Sequence, residues 1–183
     1  MKKSIRIGAG AAWWGDRVEP AKLSADHGEL DYLCFETMAE ATVSAAQVRA
    51  RRDPTFEGYD TYLDDRMQAV LPGCMKHGTR IISNQGWINP DGAAKRIVHW
   101  LQKLGYKGVK VASVNGSLIT DRVLSLTDRI MENGKPTASL APDLISAEVY
   151  LGAEPIVQAL ANGAQIVVTG RVEIGRASCR ERV

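Results

Sequence analysis

Short apolar runs alternate with amphipathic stretches along this chain, and that alternation constrains its fold more than any other feature. Runs of this kind are apolar throughout instead of alternating with polar residues, which is typical of strands buried on both faces. We therefore predict an α/β fold, a mostly parallel sheet with helices on both faces, doubly wound and Rossmann-like. A partial (β/α) barrel is the alternative. The predicted strands are Ser4–Gly8, Leu30–Met38, Thr79–Gly86, Val109–Val114 and Ala164–Arg171.

Helical patterns fill the spaces between these runs, and a glycine follows most of them as a stop signal. Pro72 and Gly73 are expected to kink or interrupt the third helix. Residues 115–146 are the least regular part of the chain, with a turn predicted at Asn133–Gly134. The predicted helices cover residues 20–27, 39–52, 59–77, 89–104 and 154–162.

The chain is long enough for one well-cored domain, since it has 183 residues. Its last stretch, EIGRASCRERV (Glu173–Val183), matches a common sequencing adapter translated in frame. We therefore expect residues 1–172 to be the truncated N-terminal part of a single α/β domain, and residues 173–183 to be a non-native tail.

Composition argues against several classes of partner. The net charge of +2 provides no general attraction to nucleic acid or to anionic membranes, and neither is expected as a partner. The three cysteines show neither a disulfide framework nor a zinc spacing, so no metal site is predicted. The N-terminus reaches glycine before a signal-length apolar stretch can form, so a cytoplasmic location is expected.

The glycine-rich segment after the first strand permits two interpretations. Gly8 and Gly10 follow the strand as in a dinucleotide-binding fingerprint, but Trp13 stands where the third glycine belongs and Gly15 comes two residues late. Glycines required for a tight backbone turn explain the pattern at least as well. Both glycines, with Gly15, are candidate ligand-binding residues, and the cofactor remains unassigned.

Two further groups near the predicted strand ends are candidate catalytic residues. Trp14, Asp16 and Arg17 combine an aromatic wall with a carboxylate and a guanidinium that can bind a carbonyl or carboxylate; the alternative is a helix-capping Asp16 beside a solvated arginine. Glu36 and Glu40 are four residues apart and can form an acid and base pair. Their alternative role is that of first-turn acids favoured by a helix dipole.

Polar and glycine residues at the remaining strand ends complete the predicted ligand site. Amide side chains can orient a substrate oxygen, although Asn89 before Pro90 is better explained as a helix cap. Thr169-Gly170-Arg171 resembles an anion-binding strand end, or else a simple turn. The candidate ligand-binding residues here are Asn84, Gly86, Asn115, Thr169, Gly170 and Arg171.

Four segments together resemble the N-terminal domain of the acyclic terpene utilisation protein A family: IRIGAGAAWWGDR, LDYLCFETMAE, SNQGWINP and NGAQIVVTGRV. The resemblance spans Ile5 to Val172. It implies a role in bacterial breakdown of acyclic terpenoids such as citronellol and geraniol, with a terpenoid acid or its CoA thioester as ligand and acyl-CoA carboxylase subunits as partners. It also implies an acidic pair after the fourth strand, where this chain has Asn115 and Ser117 instead.

Three functional hypotheses follow from the sequence. The first is an enzyme that acts on a terpenoid acid or its thioester. The second is a non-catalytic scaffold or ligand-binding subunit of the same pathway, since GxSxG, HExxH and lysine-bearing phosphate-loop motifs are absent from the sequence. The third, a nicotinamide-dependent oxidoreductase, is disfavoured by Trp13.

Overall fold

The computed structural model describes residues 4–172 and 174. Within them, five strands and six α-helices follow one another along the chain. The strands are β1 (Ile7–Ala11), β2 (Tyr32–Phe35), β3 (Arg80–Ser83), β4 (Val111–Val114) and β5 (Ile166–Thr169). The helices are α1 (Glu19–His27), α2 (Glu40–Arg52), α3 (Leu63–His77), α4 (Pro90–Lys103), α5 (Thr120–Ser125) and α6 (Glu154–Ala161).

The five strands form one open sheet in the order β1-β2-β3-β5-β4, and every pairing is parallel. Ile81 in β3 pairs with Leu33 on one side and with Ile166 on the other, so the apolar runs meet in the centre of the sheet. The predicted parallel α/β sheet is therefore confirmed. Because the sheet is not closed, the doubly wound interpretation holds and not the barrel.

Helices cover both faces of this sheet, as the crossover rule requires. Strands β1, β2, β3 and β4 are added in one direction, so right-handed crossovers place α1, α3 and α4 on the same face. The chain then reverses to insert β5 between β3 and β4, which places α6 on the opposite face, where Ile156 and Leu160 pack against Ile82 and Val167.

Two predictions about the elements need correction. Strand β1 begins at Ile7 instead of Ser4 and contains both Gly8 and Gly10; a Cβ at these positions would lie 2.4 Å from Leu30 and 2.4 Å from Phe35, respectively. Helix α3 runs through Pro72 without interruption, and Gly73 lets α3 approach the backbone of Ala25 in α1. Tertiary packing outweighs the local proline penalty here.

The irregular segment 115–153 lies across the carboxyl edge of the sheet. Backbone hydrogen bonds join Val149 N to Ser117 O (2.8 Å) and Leu151 N to Arg171 O (3.1 Å). The predicted turn at Asn133–Gly134 is confirmed, with a left-handed Gly134 at φ 66°.

The predicted tail lies outside the described residues apart from Ile174. In the described part of the chain, no helix has the length and apolarity needed to cross a lipid bilayer.

Candidate functional site

Four charged or polar side chains meet at the carboxyl edge of the sheet, and we call them the strand-end cluster: Glu36, Glu40, Asn84 and Arg171. Glu36 follows β2, Asn84 follows β3, Arg171 follows β5, and Glu40 opens α2. Parallel strands place their carboxyl ends at one edge, which is where α/β sheets bind ligands. Within the cluster, Glu40 and Arg171 form a pair although they are 131 residues apart in the chain.

Glu36 is held by hydrogen bonds from both sides. The Asn84 side-chain NH2 donates to its carboxylate, and the Met38 backbone N–H donates to the same oxygen at 3.2 Å. Asn84 is itself fixed, because its side-chain oxygen accepts from the buried Thr37 N–H at 2.7 Å. Burial raises the pKa of the Glu36 carboxyl above its ordinary value, and the hydrogen bonds oppose that rise only in part. Glu36 therefore holds a proton more readily than an ordinary glutamate does.

Arg171 forms the other half of the cluster. Its guanidinium donates to the Met38 carbonyl oxygen at 2.7 Å, forms an ion pair with Glu40, and lies 4.1 Å from the centre of the Tyr150 ring. The Arg171 side chain is 7% exposed, whereas that of Glu40 is 84% exposed. Hydrogen bonds from the Glu40 backbone N–H and then from Arg171 lower the pKa of the Glu40 carboxyl.

An apolar pocket of about 310 Å³, which we call the aromatic cavity, lies beside the cluster. It runs along one side of α2, and most of its wall is aromatic ring or alanine methyl. Arg49 borders it, with its guanidinium 4.4 Å from the centre of the Phe56 ring. The lining residues are Trp13, Trp14, Ala39, Ala41, Thr42, Ala45, Ala46, Arg49, Phe56, Thr61 and Trp87.

The turn Thr37–Ala39 separates the cavity from the cluster. Met38 contacts Glu36 through its N–H and Arg171 through its carbonyl, while the next residue, Ala39, lines the cavity. Trp87 has a left-handed backbone with φ 43°, and its indole N–H donates to the Thr37 hydroxyl at 3.2 Å. A left-handed tryptophan is strained and persists only when its surroundings hold it in place, which is a recurrent feature of ligand sites.

The predicted loop residues Asp16 and Arg17 lie after β1, in the segment that supplies Trp13 and Trp14 to the cavity. The Asp16 carboxylate accepts from the backbone N–H groups of Ala12 (2.8 Å) and Trp13 (3.0 Å), so it stabilises this turn. Arg17 is exposed. In the structure Asp16 thus organises one wall of the cavity, and a catalytic role for either residue stays a prediction.

The predicted glycines show close backbone packing. A Cβ at Gly86 would lie 2.6 Å from Thr169 O, and one at Gly170 would lie 2.7 Å from Trp87 O. Both glycines therefore let the ends of β3 and β5 approach each other. Trp13 covers Gly15, and a Cβ there would lie 2.3 Å from its ring. Gly8 and Gly10 lie within β1 and not in the turn that a dinucleotide fingerprint requires.

Asn115 belongs to a separate group at the end of β4. Its side chain and the Ser113 hydroxyl both donate to Asp91, at 2.9 and 2.5 Å. These hydrogen bonds, that from Ser113 first, lower the pKa of the Asp91 carboxyl. Within the residues that the structure describes, no group of three or more His, Cys, Asp and Glu side chains has the arrangement of a metal site.

Sequence reasoning missed several residues that build the site. Thr37 and Trp87 lie within segments of family resemblance, but neither they nor Phe56 belong to a catalytic or binding motif, and only their proximity in the fold assigns them to the site. Arg66 did leave a signal, because it lies three residues after Leu63 on the apolar stripe of α3. A charge on a buried stripe indicates a buried partner, and the structure identifies Asp60.

A comparison with protein-family models decides the affiliation of this chain. The model described as acyclic terpene utilisation family protein AtuA matches residues 5–173. The chain belongs to the acyclic terpene utilisation family. The matched residues include the strand-end cluster and the aromatic cavity, so both belong to the region that the acyclic terpene utilisation family shares. Searches of curated proteins and of solved structures found no significant match.

Proposed function

We propose that the chain binds the hydrocarbon part of an acyclic terpenoid acid, or of its CoA thioester, in the aromatic cavity. The observation that carries the proposal is the wall of that cavity, where Trp13, Trp14, Phe56 and Trp87 face the alanines of α2. Membership in the acyclic terpene utilisation family suggests the class of ligand, and the apolar wall of the cavity is chemically suited to a branched, unsaturated hydrocarbon chain.

Size and chemistry both support this assignment. A volume of about 310 Å³ lies at the lower end of the range for small-molecule pockets, which starts at roughly 300 Å³. Transfer of each CH2 group from water to such a wall contributes about 0.8 kcal/mol, so a ten-carbon chain gains enough to bind without many polar contacts. Flat aromatic rings also pack well against the planar double bonds of these terpenoids.

We further propose that Glu36 is the acid–base group for a reaction at the carboxyl or thioester end of the ligand. Glu36 lies on the other side of the Thr37–Ala39 turn from the cavity, and burial raises its pKa, so that it holds a proton more readily than an ordinary glutamate. Glu36→Gln should abolish consumption of citronellyl-CoA or citronellic acid, followed by mass spectrometry. If Asp16→Asn abolishes this consumption without changing the affinity for the ligand, and Glu36→Gln does not abolish it, the catalytic group lies in the first loop.

The direct test of binding is a tryptophan-fluorescence and calorimetric titration of the chain with citronellic acid, citronellyl-CoA and nicotinamide nucleotides. We expect quenching by the terpenoid ligands, because three of the four aromatic residues in the wall are tryptophans. Binding of nicotinamide nucleotides without terpenoid binding would support the oxidoreductase hypothesis instead, and the proposal would be wrong.

A non-catalytic subunit is the second candidate, and one observation favours it. Segment 115–153 exposes large apolar side chains, with Leu118 at 56%, Tyr150 at 52% and Met131 at 97%. Exposed apolar side chains are frequent at protein interfaces. The partners that family membership suggests are acyl-CoA carboxylase subunits in the cytoplasm. This function would be supported if those subunits co-purify with the wild-type chain but not with the double variant Leu118→Ser/Met131→Ser. The wild-type chain should then consume no terpenoid.

A further inference from the structure

Arg171 and Glu40 form an ion pair whose two sides differ in their access to solvent. The Arg171 side chain is 7% exposed and is held by the Met38 carbonyl oxygen and the Tyr150 ring. The Glu40 side chain is 84% exposed. The guanidinium is therefore a fixed, largely dehydrated cation, whereas its carboxylate partner moves into water at little cost. An arrangement of this kind can exchange one carboxylate for another.

The position of Arg171 relates this exchange to the aromatic cavity. Arg171 contacts Met38 and Glu40, and the residue between them, Ala39, lines the cavity. The cavity extends from Ala39 to Arg49 along α2, which corresponds to about 15 Å at 1.5 Å per helical residue. The Ala39 end of the cavity is therefore the end nearest to the Arg171 guanidinium, because Ala39 is bonded on both sides to residues that Arg171 contacts.

We propose that Arg171 binds the carboxylate of an acyclic terpenoid acid, and that Glu40 occupies this position until the ligand displaces it. The inference rests on the proposed binding of terpenoids in the aromatic cavity and adds the group that recognises their polar end. Carboxylate replaces carboxylate, so the hydrogen-bonding geometry at the guanidinium is preserved. Arg171 would thus select the free acid over the corresponding alcohol.

Arg49 is the competing cation, and its surroundings make it the weaker anchor. Its side chain is 51% exposed, it contacts Asp53 at 3.4 Å, and its guanidinium stacks on Phe56. Water and salt screen a carboxylate bound at such an exposed position. The Arg171 guanidinium is largely shielded from water, which strengthens its contact with an anion.

The experiment compares the affinities of geranic acid and geraniol, two ligands with the same hydrocarbon chain, for the full chain and its variants by calorimetry. We expect the wild type to bind the acid about three- to tenfold more tightly than the alcohol, because the new contact with Arg171 is partly offset by the loss of the Glu40 ion pair. Glu40→Gln should strengthen acid binding by about two- to fivefold without changing alcohol binding. Arg171→Gln should remove the preference, and Arg171→Lys should retain part of it.

Glu19→Gln is the matched control for Glu40→Gln, because Glu19 is likewise the first residue of its helix. It should change neither affinity. The inference is wrong if the wild type binds the acid and the alcohol equally well. It is also wrong if the preference for the acid persists in Glu40→Gln and Arg171→Gln but disappears in Arg49→Gln. Either result would leave the proposed terpenoid binding intact. Failure of geraniol and geranic acid alike to bind would instead refute the proposed function.

Discussion

The Arg66 guanidinium, fully buried in α3, donates a hydrogen bond to the Trp14 carbonyl oxygen at 2.6 Å. This contact ties one wall of the aromatic cavity to the core of the domain. Arg66 also forms an ion pair with Asp60, and both side chains are 0% exposed. Gln85, directly after the strand-end residue Asn84, donates to the same Asp60 oxygen at 3.0 Å. A single buried network thus supports the tryptophan loop and the end of β3.

The first prediction concerns this network. Arg66→Met leaves the Asp60 carboxylate buried without its ion-pair partner, so we expect it to lower the free energy of unfolding by about 3–5 kcal/mol. Adding Asp60→Asn removes the uncompensated charge and should restore part of that loss. Urea unfolding of the wild type, both single variants and the double variant measures the coupling. A single Arg66→Met variant as stable as the wild type would show that the network is dispensable.

The second prediction tests whether the aromatic cavity holds the ligand. Ala45 lines the cavity on α2, so Ala45→Phe should fill it and weaken geraniol binding by about tenfold or more, measured by calorimetry. Ala50 is exposed on the same helix and does not line the cavity, which makes Ala50→Phe the matched control. Equal affinities for both variants would place the ligand elsewhere.

The third prediction concerns the ionisation of Glu36. Burial raises its pKa in the folded chain above the ordinary 4.5, so ionisation disfavours the folded state as the pH rises above that value. Glu36→Gln keeps an acceptor for the Asn84 and Met38 hydrogen bonds but cannot ionise. The stability advantage of the variant over the wild type should therefore grow as the pH rises above 4.5, measured by urea unfolding. A stability difference that does not change with pH would contradict the raised pKa.

The fourth prediction concerns the acid limit of the fold. Asp64 accepts hydrogen bonds from Arg96 and Trp100, and these, that from Arg96 first, lower the pKa of its carboxyl below 3.8. Because the unfolded chain binds this proton more readily, the stabilisation is present above pH 3.8 and is lost as the pH falls through the folded pKa.

Asp64→Asn should therefore reduce stability at neutral pH and flatten its decline in acid, followed by circular dichroism during acid titration. Asp65, the exposed neighbour in the same helical turn, provides the control Asp65→Asn. An acid transition of unchanged steepness in the Asp64 variant would show that another group governs it.

Local sequence patterns were sufficient for the five strands, their parallel arrangement and five of the six α-helices; the short α5 lies in the segment predicted to be the least regular. Apolar runs predicted the five strands, and glycines marked helix ends such as Gly78, which has a left-handed φ of 71°. These predictions succeed because strand and helix periodicities and stop signals act over only a few residues. The extents of β1 and α3 depended on packing against Leu30, Phe35 and Ala25, which the local pattern does not contain.

The sequence by itself determined the fold class, the family and the strand ends at which polar residues collect. Only the tertiary structure decided which of those residues meet. Glu36 pairs with Asn84 across 48 residues, and Arg171 pairs with Glu40 across 131. The order of strands in the sheet, with β5 between β3 and β4, creates these contacts. Strand order depends on long-range packing and crossover handedness, and no local window of sequence carries that information.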